Sequence, residues 1–238
     1  MKNQNNPLRT FKVLSLLLSY PSAVWISEMD ALLKCIESEG QVSPVALSEL
    51  RSFASSCQTE DLLQLETEYV ATFDQQRTLS LHLFEHLHGD SRDRGQAMVD
   101  LSMVYQEHHL LIEAKELPDY LPLFLECLSV IPAHTAFDLL QECLPIIERI
   151  ASGLASRGNR YTAVFNTLLS VGKKPIIPWI LTLQPEADPT AADRLDKEWE
   201  EEEIKFLGNS CVKDKGACGE VTTHSVKITK NPHALHGE

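Results

Sequence analysis

The sequence predicts an all-α fold, on three observations. Apolar residues recur at steps of three and four along most of the chain. Only 10 of the 238 residues are glycine, too few to supply the turns of an all-β protein. Leu, Ala, Glu and Gln are plentiful, and all four favour helix. A chain of this length buries a core without disulfide staples.

The first element needs care. Lys2, Arg9 and Lys12 precede the apolar run Val13 to Leu18, in the manner of a signal peptide. The run is short, Pro21 ends it, and no A-x-A cleavage site follows. Phe11, Leu14 and Leu18 share one helical face, so an amphipathic helix over 8–20 is expected. No run is long enough to cross a membrane.

Further helices are expected near 24–39, 44–57, 120–130, 160–171 and 192–207. Leu62, Leu65, Tyr69 and Phe73 form one stripe, and Met98, Leu101, Tyr105 and His108 another, with Ile112 continuing it. A third runs through Phe137, Leu140, Leu144, Ile147, Ala151 and Leu154, with Pro145 as a kink or a start. Thr59, Ser91 and Asp119 are the expected helix starts, the last with Pro122 in its first turn.

Gly89-Asp90-Ser91 reads as a turn. Lys173 to Pro189, with four prolines, reads as a connector. From Asn209 onward periodicity is lost. The expected organisation is one helical domain over 1–208 and a mobile tail over 209–238.

The net charge of -13 disfavours nucleic acid and attracts basic segments, although acidity also serves plain solubility. None of the six cysteines forms a C-x-x-C pair, and Cys35, Cys57, Cys127 and Cys143 lie in apolar helical patterns. Such thiols act as small hydrophobes, which suits a reducing cytoplasm.

Residues 83–100 concentrate chemistry around a turn: His86, His88, Asp90, Arg92, Asp93 and Arg94. They suit a polar hub that positions a binding surface. They equally suit helix capping and a tied loop. His82-Leu83-Phe84-Glu85-His86 fits the zinc-peptidase pattern H-x-x-E-H, with Glu85 as base. A catalytic zinc needs a third protein ligand, and no downstream motif announces one. Cys211, Cys218 and His224 are too widely spaced for a structural zinc site. His108-His109 reads as one histidine at the core edge and one in water. G-x-x-x-x-G-K-[ST], G-x-G-x-x-G and G-x-S-x-G are all missing, so neither an enzyme nor a bound cofactor is expected.

Residues 113–126 include Leu117-Pro118-Asp119-Tyr120, then Leu123 and Phe124. This is either one apolar wall of a groove for a peptide helix or a well-capped core helix.

Phe84 to Leu101 matches F-E-H-x-H-G-x-S-R-D-R-G-x-A-M-V-x-L throughout. Leu117 to Leu123 matches L-P-D-x-L-P-L, and Leu17 to Pro21 matches L-L-x-Y-P. Trp199 to Phe206 matches W-E-E-E-x-x-K-F. On these segments the chain resembles the nitrate reductase assembly chaperones, the NarJ family, over about residues 13–207. His82 lies outside the pattern, and no family motif follows Gly208.

The resemblance implies an all-α chaperone of the redox-enzyme maturation group. It implies binding to the unfinished catalytic subunit of a respiratory nitrate reductase, through that subunit's N-terminal, twin-arginine-like segment and a second site. It implies retention of competence for molybdenum cofactor insertion, dealings with cofactor delivery proteins, and absence from the finished enzyme. Together with the apolar stripes it places the partner surface on His86, His88, Asp90, Arg92, Asp93, Arg94, Tyr105, Leu117, Pro118, Asp119, Tyr120, Leu123 and Phe124. The alternatives are a helical adaptor unrelated to cofactor assembly and a zinc hydrolase using His82, Glu85 and His86.

Overall fold

The computed structural model describes residues 8–88, 92–110, 112 and 116–179, with the Arg92 side chain not described. Within it lie ten α-helices: α1 (Arg9–Leu17), α2 (Ala23–Ser27), α3 (Met29–Glu39), α4 (Pro44–Thr59), α5 (Leu62–Tyr69), α6 (Glu85–His88), α7 (Arg92–Glu107), α8 (Leu121–Leu128), α9 (Ala133–Ala155) and α10 (Thr162–Val171). The expected all-α class holds among the described residues. The 89–91 turn with its Ser91 start, the 192–207 helix, the 199–206 motif, the boundary at 208 and Cys211, Cys218 and His224 all lie outside them.

The centre of the core is α10. Nine of its ten residues are buried, Thr162, Asn166 and Thr167 among them. A helix apolar or satisfied on every side must be surrounded, and α10 packs against both α9 and α4. Its buried polar groups are paired. Asn166 Nδ2 donates to Glu49 Oε2 (2.8 Å) and to the Ile177 carbonyl (2.9 Å). Its Oδ1 accepts from the Ile177 N–H (2.8 Å), so one side chain docks the segment after the helix. The described part of the predicted connector, from Lys173 to Trp179, is indeed without helix.

The amphipathic first helix is present. Phe11, Leu14 and Leu18 are fully buried, and α1 packs on α8 and α3. Its first turn is capped from α3: the Arg9 and Thr10 N–H groups donate to the Glu39 carboxylate (2.8 and 2.9 Å). A carboxylate there satisfies orphan donors and opposes the helix dipole. No described helix is long and apolar enough to cross a membrane.

The α9 stripe holds from Leu140 to Leu154, all buried, with Phe137 half-buried, and the helix runs through Pro145. The four described cysteines are free. Burial pushes the thiols of Cys57 and Cys143 up to about 12 and that of Cys127 to about 11, so they act as apolar filling.

Several expectations need correction. The predicted helix 24–39 is two helices, since Glu28 (φ -91°, ψ 5°) ends α2 and begins α3. Thr59 does not start a helix. It ends α4, its hydroxyl donating back to the Ser55 and Ser56 carbonyls, and Asp61 precedes α5. The 98–112 stripe stops at Glu107, because His109 takes a left-handed turn (φ 60°) and the Leu110 N–H closes onto the Tyr105 carbonyl (2.9 Å). His108 and His109 therefore lie past the helix, half-buried and exposed in turn.

Asn166→Ala removes three hydrogen bonds at once and strands the part-buried Ile177 N–H. The expected loss is about 1–3 kcal/mol of unfolding free energy with helix content unchanged. Urea unfolding followed by circular dichroism checks it.

Candidate functional site

Two stretches that looked separate in sequence meet at one buried carboxylate. Asp119 is fully buried. Its Oδ1 lies 3.2 Å from His82 Nδ1, and its Oδ2 accepts from the Phe84 N–H (3.1 Å). Arg94 Nη2 stands 3.8 Å from the same oxygen and 3.3 Å from Glu85 Oε1. A buried carboxylate needs such partners, because desolvation without them costs several kcal/mol.

The backbone completes the clamp. His82 and Tyr120 form an antiparallel bridge: the Leu83 N–H donates to the Asp119 carbonyl (3.0 Å) and the Leu121 N–H to the Leu81 carbonyl (2.8 Å). His86 Nε2 lies 2.8 Å from the Ser80 carbonyl, and Arg149 donates to the His86 carbonyl (3.2 Å). From α7, the Tyr105 hydroxyl donates to the Pro118 carbonyl (2.8 Å). Burial raises the Tyr105 hydroxyl pKa far above its ordinary value, so it stays a donor.

Asp119 is thus not the cap it was expected to be. Tyr120 takes the N-cap position of α8 without a side-chain bond, and Pro122 does fall in the first turn. The carboxylate is turned away from the helix start because residues 82–84 and Arg94 claim both oxygens.

The other expected site residues separate by burial. Phe124 is 2% exposed, a core side chain rather than a groove wall, and a charge there would break the fold. Leu123, Tyr120, Pro118, His86, His88 and Arg94 are half-buried, whereas Leu117 and Asp93 face solvent. Tyr105 is buried. Asp90 and the Arg92 side chain lie outside the described residues.

The zinc geometry does not form from the residues expected to make it. His82 sits in the bridge, before α6 begins at Glu85, so His82 and His86 do not share a helix face. Both imidazoles are engaged by protein acceptors, and Glu85 pairs with Arg94.

Sequence reasoning missed Tyr69 as a junction. Its hydroxyl donates to the Leu18 carbonyl (2.9 Å) and lies 3.1 Å from the Tyr120 hydroxyl, joining the Leu17–Pro21 motif to the Leu117–Leu123 motif. The only sequence signal was its place in an apolar stripe.

Fold and clamp together describe a helical scaffold whose charged hub holds backbone segments in place. The chain belongs to the nitrate reductase delta subunit family, whose model matches residues 42–166. It is 36% identical over 216 residues, 89% of each chain, to the nitrate reductase molybdenum cofactor assembly chaperone NarJ of Escherichia coli K12. It is 37% identical over 203 residues, 84% of each chain, to the probable assembly chaperone NarW of the same organism. A probable NarJ from Bacillus subtilis is 30% identical over 161 residues, covering 68% of this chain and 86% of that one.

Two outcomes test the clamp. Asp119→Ala should lower stability by about 3–5 kcal/mol, since it strands the Phe84 N–H and leaves Arg94 with Glu85 alone; denaturant midpoints read this. The second concerns pH. The Asp119 hydrogen bond raises the His82 pKa above its ordinary value, against an opposing effect of burial. The pairing therefore stabilises fully below the unfolded histidine value, and that contribution fades as pH rises through the folded value. Wild type should exceed His82→Gln in stability at acidic pH, with the gap closing as pH rises past neutrality.

Proposed function

We propose that this protein is a dedicated assembly chaperone for the catalytic subunit of a respiratory nitrate reductase, acting in the cytoplasm. It binds the N-terminal segment of the unfinished subunit and keeps the subunit competent for molybdenum cofactor insertion. It leaves when the enzyme is complete. The observation that carries this reading is the likeness, over 89% of both chains, to a protein named for that task. The clamp adds to it, because two motif segments of the resemblance, Phe84 to Leu101 and Leu117 to Leu123, are joined through Asp119.

The work needs no bond chemistry. Histidine, glutamate and arginine of the hub are held by one another and by backbone carbonyls. A chaperone acts by binding the unfinished partner better than the finished one. An acidic surface steers a basic leader into contact, with an attraction that weakens as salt rises.

Calorimetric titration of a synthetic peptide carrying the catalytic subunit's N-terminus, at low and high salt, tests the reading. Saturable binding that weakens with salt is expected. Absence of binding by the folded protein at either salt would overturn it.

A further inference from the structure

A cavity of about 210 Å³ lies apart from the clamp, lined by Glu49, Ser52, Phe53, Ser56, Arg160 and Trp179. The first four stand at positions i, i+3, i+4 and i+7 of α4, so they share one face of that helix. Phe53 is 1% exposed, with its ring against Tyr161 (centroids 5.3 Å apart), and forms the floor. Trp179, half-buried against the core, and Arg160, in the link between α9 and α10, form the walls.

Every polar group in the lining is held by another residue. The Arg160 side chain, 12% exposed, donates through Nη2 to Glu60 Oε1 (2.8 Å) and through Nε to Glu68 Oε1 (3.2 Å). Glu49 Oε2 accepts from the fully buried Asn166 (2.8 Å), which also holds Ile177, two residues before Trp179. The Ser52 and Ser56 hydroxyls donate to the carbonyls of Ser48 (3.2 Å) and Phe53 (2.7 Å), so they have lone pairs left to offer. Side chains held in this way are preorganised, as a binding site requires. A dry void left by imperfect packing is lined by apolar atoms and has no such arrangement.

The lining defines the ligand. A ring can stack on Trp179, and a guanidinium engaged along its edge keeps flat faces that attract aromatic rings. Ser52, Ser56 and the second oxygen of Glu49 accept hydrogen bonds. Groups of both signs line the cavity, so a free ion of neither sign is favoured. The volume falls below the roughly 300–1,000 Å³ of pockets for drug-sized molecules and suits one side chain.

We infer that this cavity receives an aromatic side chain carrying an N–H or O–H donor, a tryptophan or tyrosine of the unfinished catalytic subunit. Such residues anchor protein interfaces, the ring filling a pocket and the polar tip meeting an acceptor. The partner's identity rests on the chaperone reading, while the cavity's chemistry rests on its own lining.

Two measurements on the full chain keep these apart. In the first, indole is titrated at millimolar concentration while backbone amide shifts are recorded. Shifts clustered at residues 49, 52, 56, 160 and 179 are expected. 1-Methylindole, the same ring without the N–H, should bind about fivefold more weakly. Absent or scattered shifts, or equal binding of the two compounds, would overturn the site. Ser56→Leu fills the cavity from within, and Ser52→Phe covers it from the exposed side. Either should abolish the shifts, and the second keeps the test open should the first unfold. Undiminished indole binding by a folded variant would also overturn the site.

The second measurement is the affinity for the whole unfinished catalytic subunit. Ser52→Phe should weaken it about tenfold, and Ser55→Phe, an exposed position on the opposite face of α4, should leave it within about twofold. Equal affinities of wild type and Ser52→Phe would overturn the assigned occupant. A dimer of the free protein that Ser52→Phe dissociates would overturn it too, in favour of a second copy. If wild type fails to bind the subunit while indole still shifts the five residues, the chaperone reading falls and the site stands.

Discussion

The arrangement of the surface depends on one buried carboxylate. Asp119 is shielded from water, so it must be satisfied by protein, and the groups that satisfy it come from three places: His82, the Phe84 backbone and Arg94 of α7. Each bond fixes one segment relative to the others. The bridge between His82 and Tyr120 follows, and with it the position of Tyr120 beside Tyr69. Without the carboxylate the Arg94 guanidinium would keep only Glu85.

The hub also accounts for how charge is distributed. Polar residues that resemble a catalytic set are turned inward, onto carbonyls and onto one another. The groups left outward in the neighbouring segments include Tyr20, Leu117, Asp74 and Glu116. The same backbone that closes the interior thus shapes what faces the solvent.

Much of the fold was legible in the sequence because burial follows period. The stripe from Leu140 to Leu154 is continuous in three dimensions, and Phe11, Leu14 and Leu18 turn inward together. Local signals served less well where a long-range partner competed. Asp119 ahead of Leu121-Pro122 has every mark of a cap, and its local sequence does not reveal that residues 82–84 will take its oxygens. Phe124 looked like a groove contact because an apolar residue at a helix start reads alike on either face. Tyr69 was passed over for another reason: its significance lies in what converges on it from residues 18 and 120.

The pairing of His82 with Tyr120 has a consequence for the stretch it brackets. The bridge holds the ends of this stretch side by side, with α6 and α7 lying between them in the chain. Most of the closure entropy of that loop is met at the neck, where two backbone bonds and the carboxylate act together. Parting the neck would break its two backbone bonds and uncover the Asp119 carboxylate at the same moment, so the two segments it joins hold or part together.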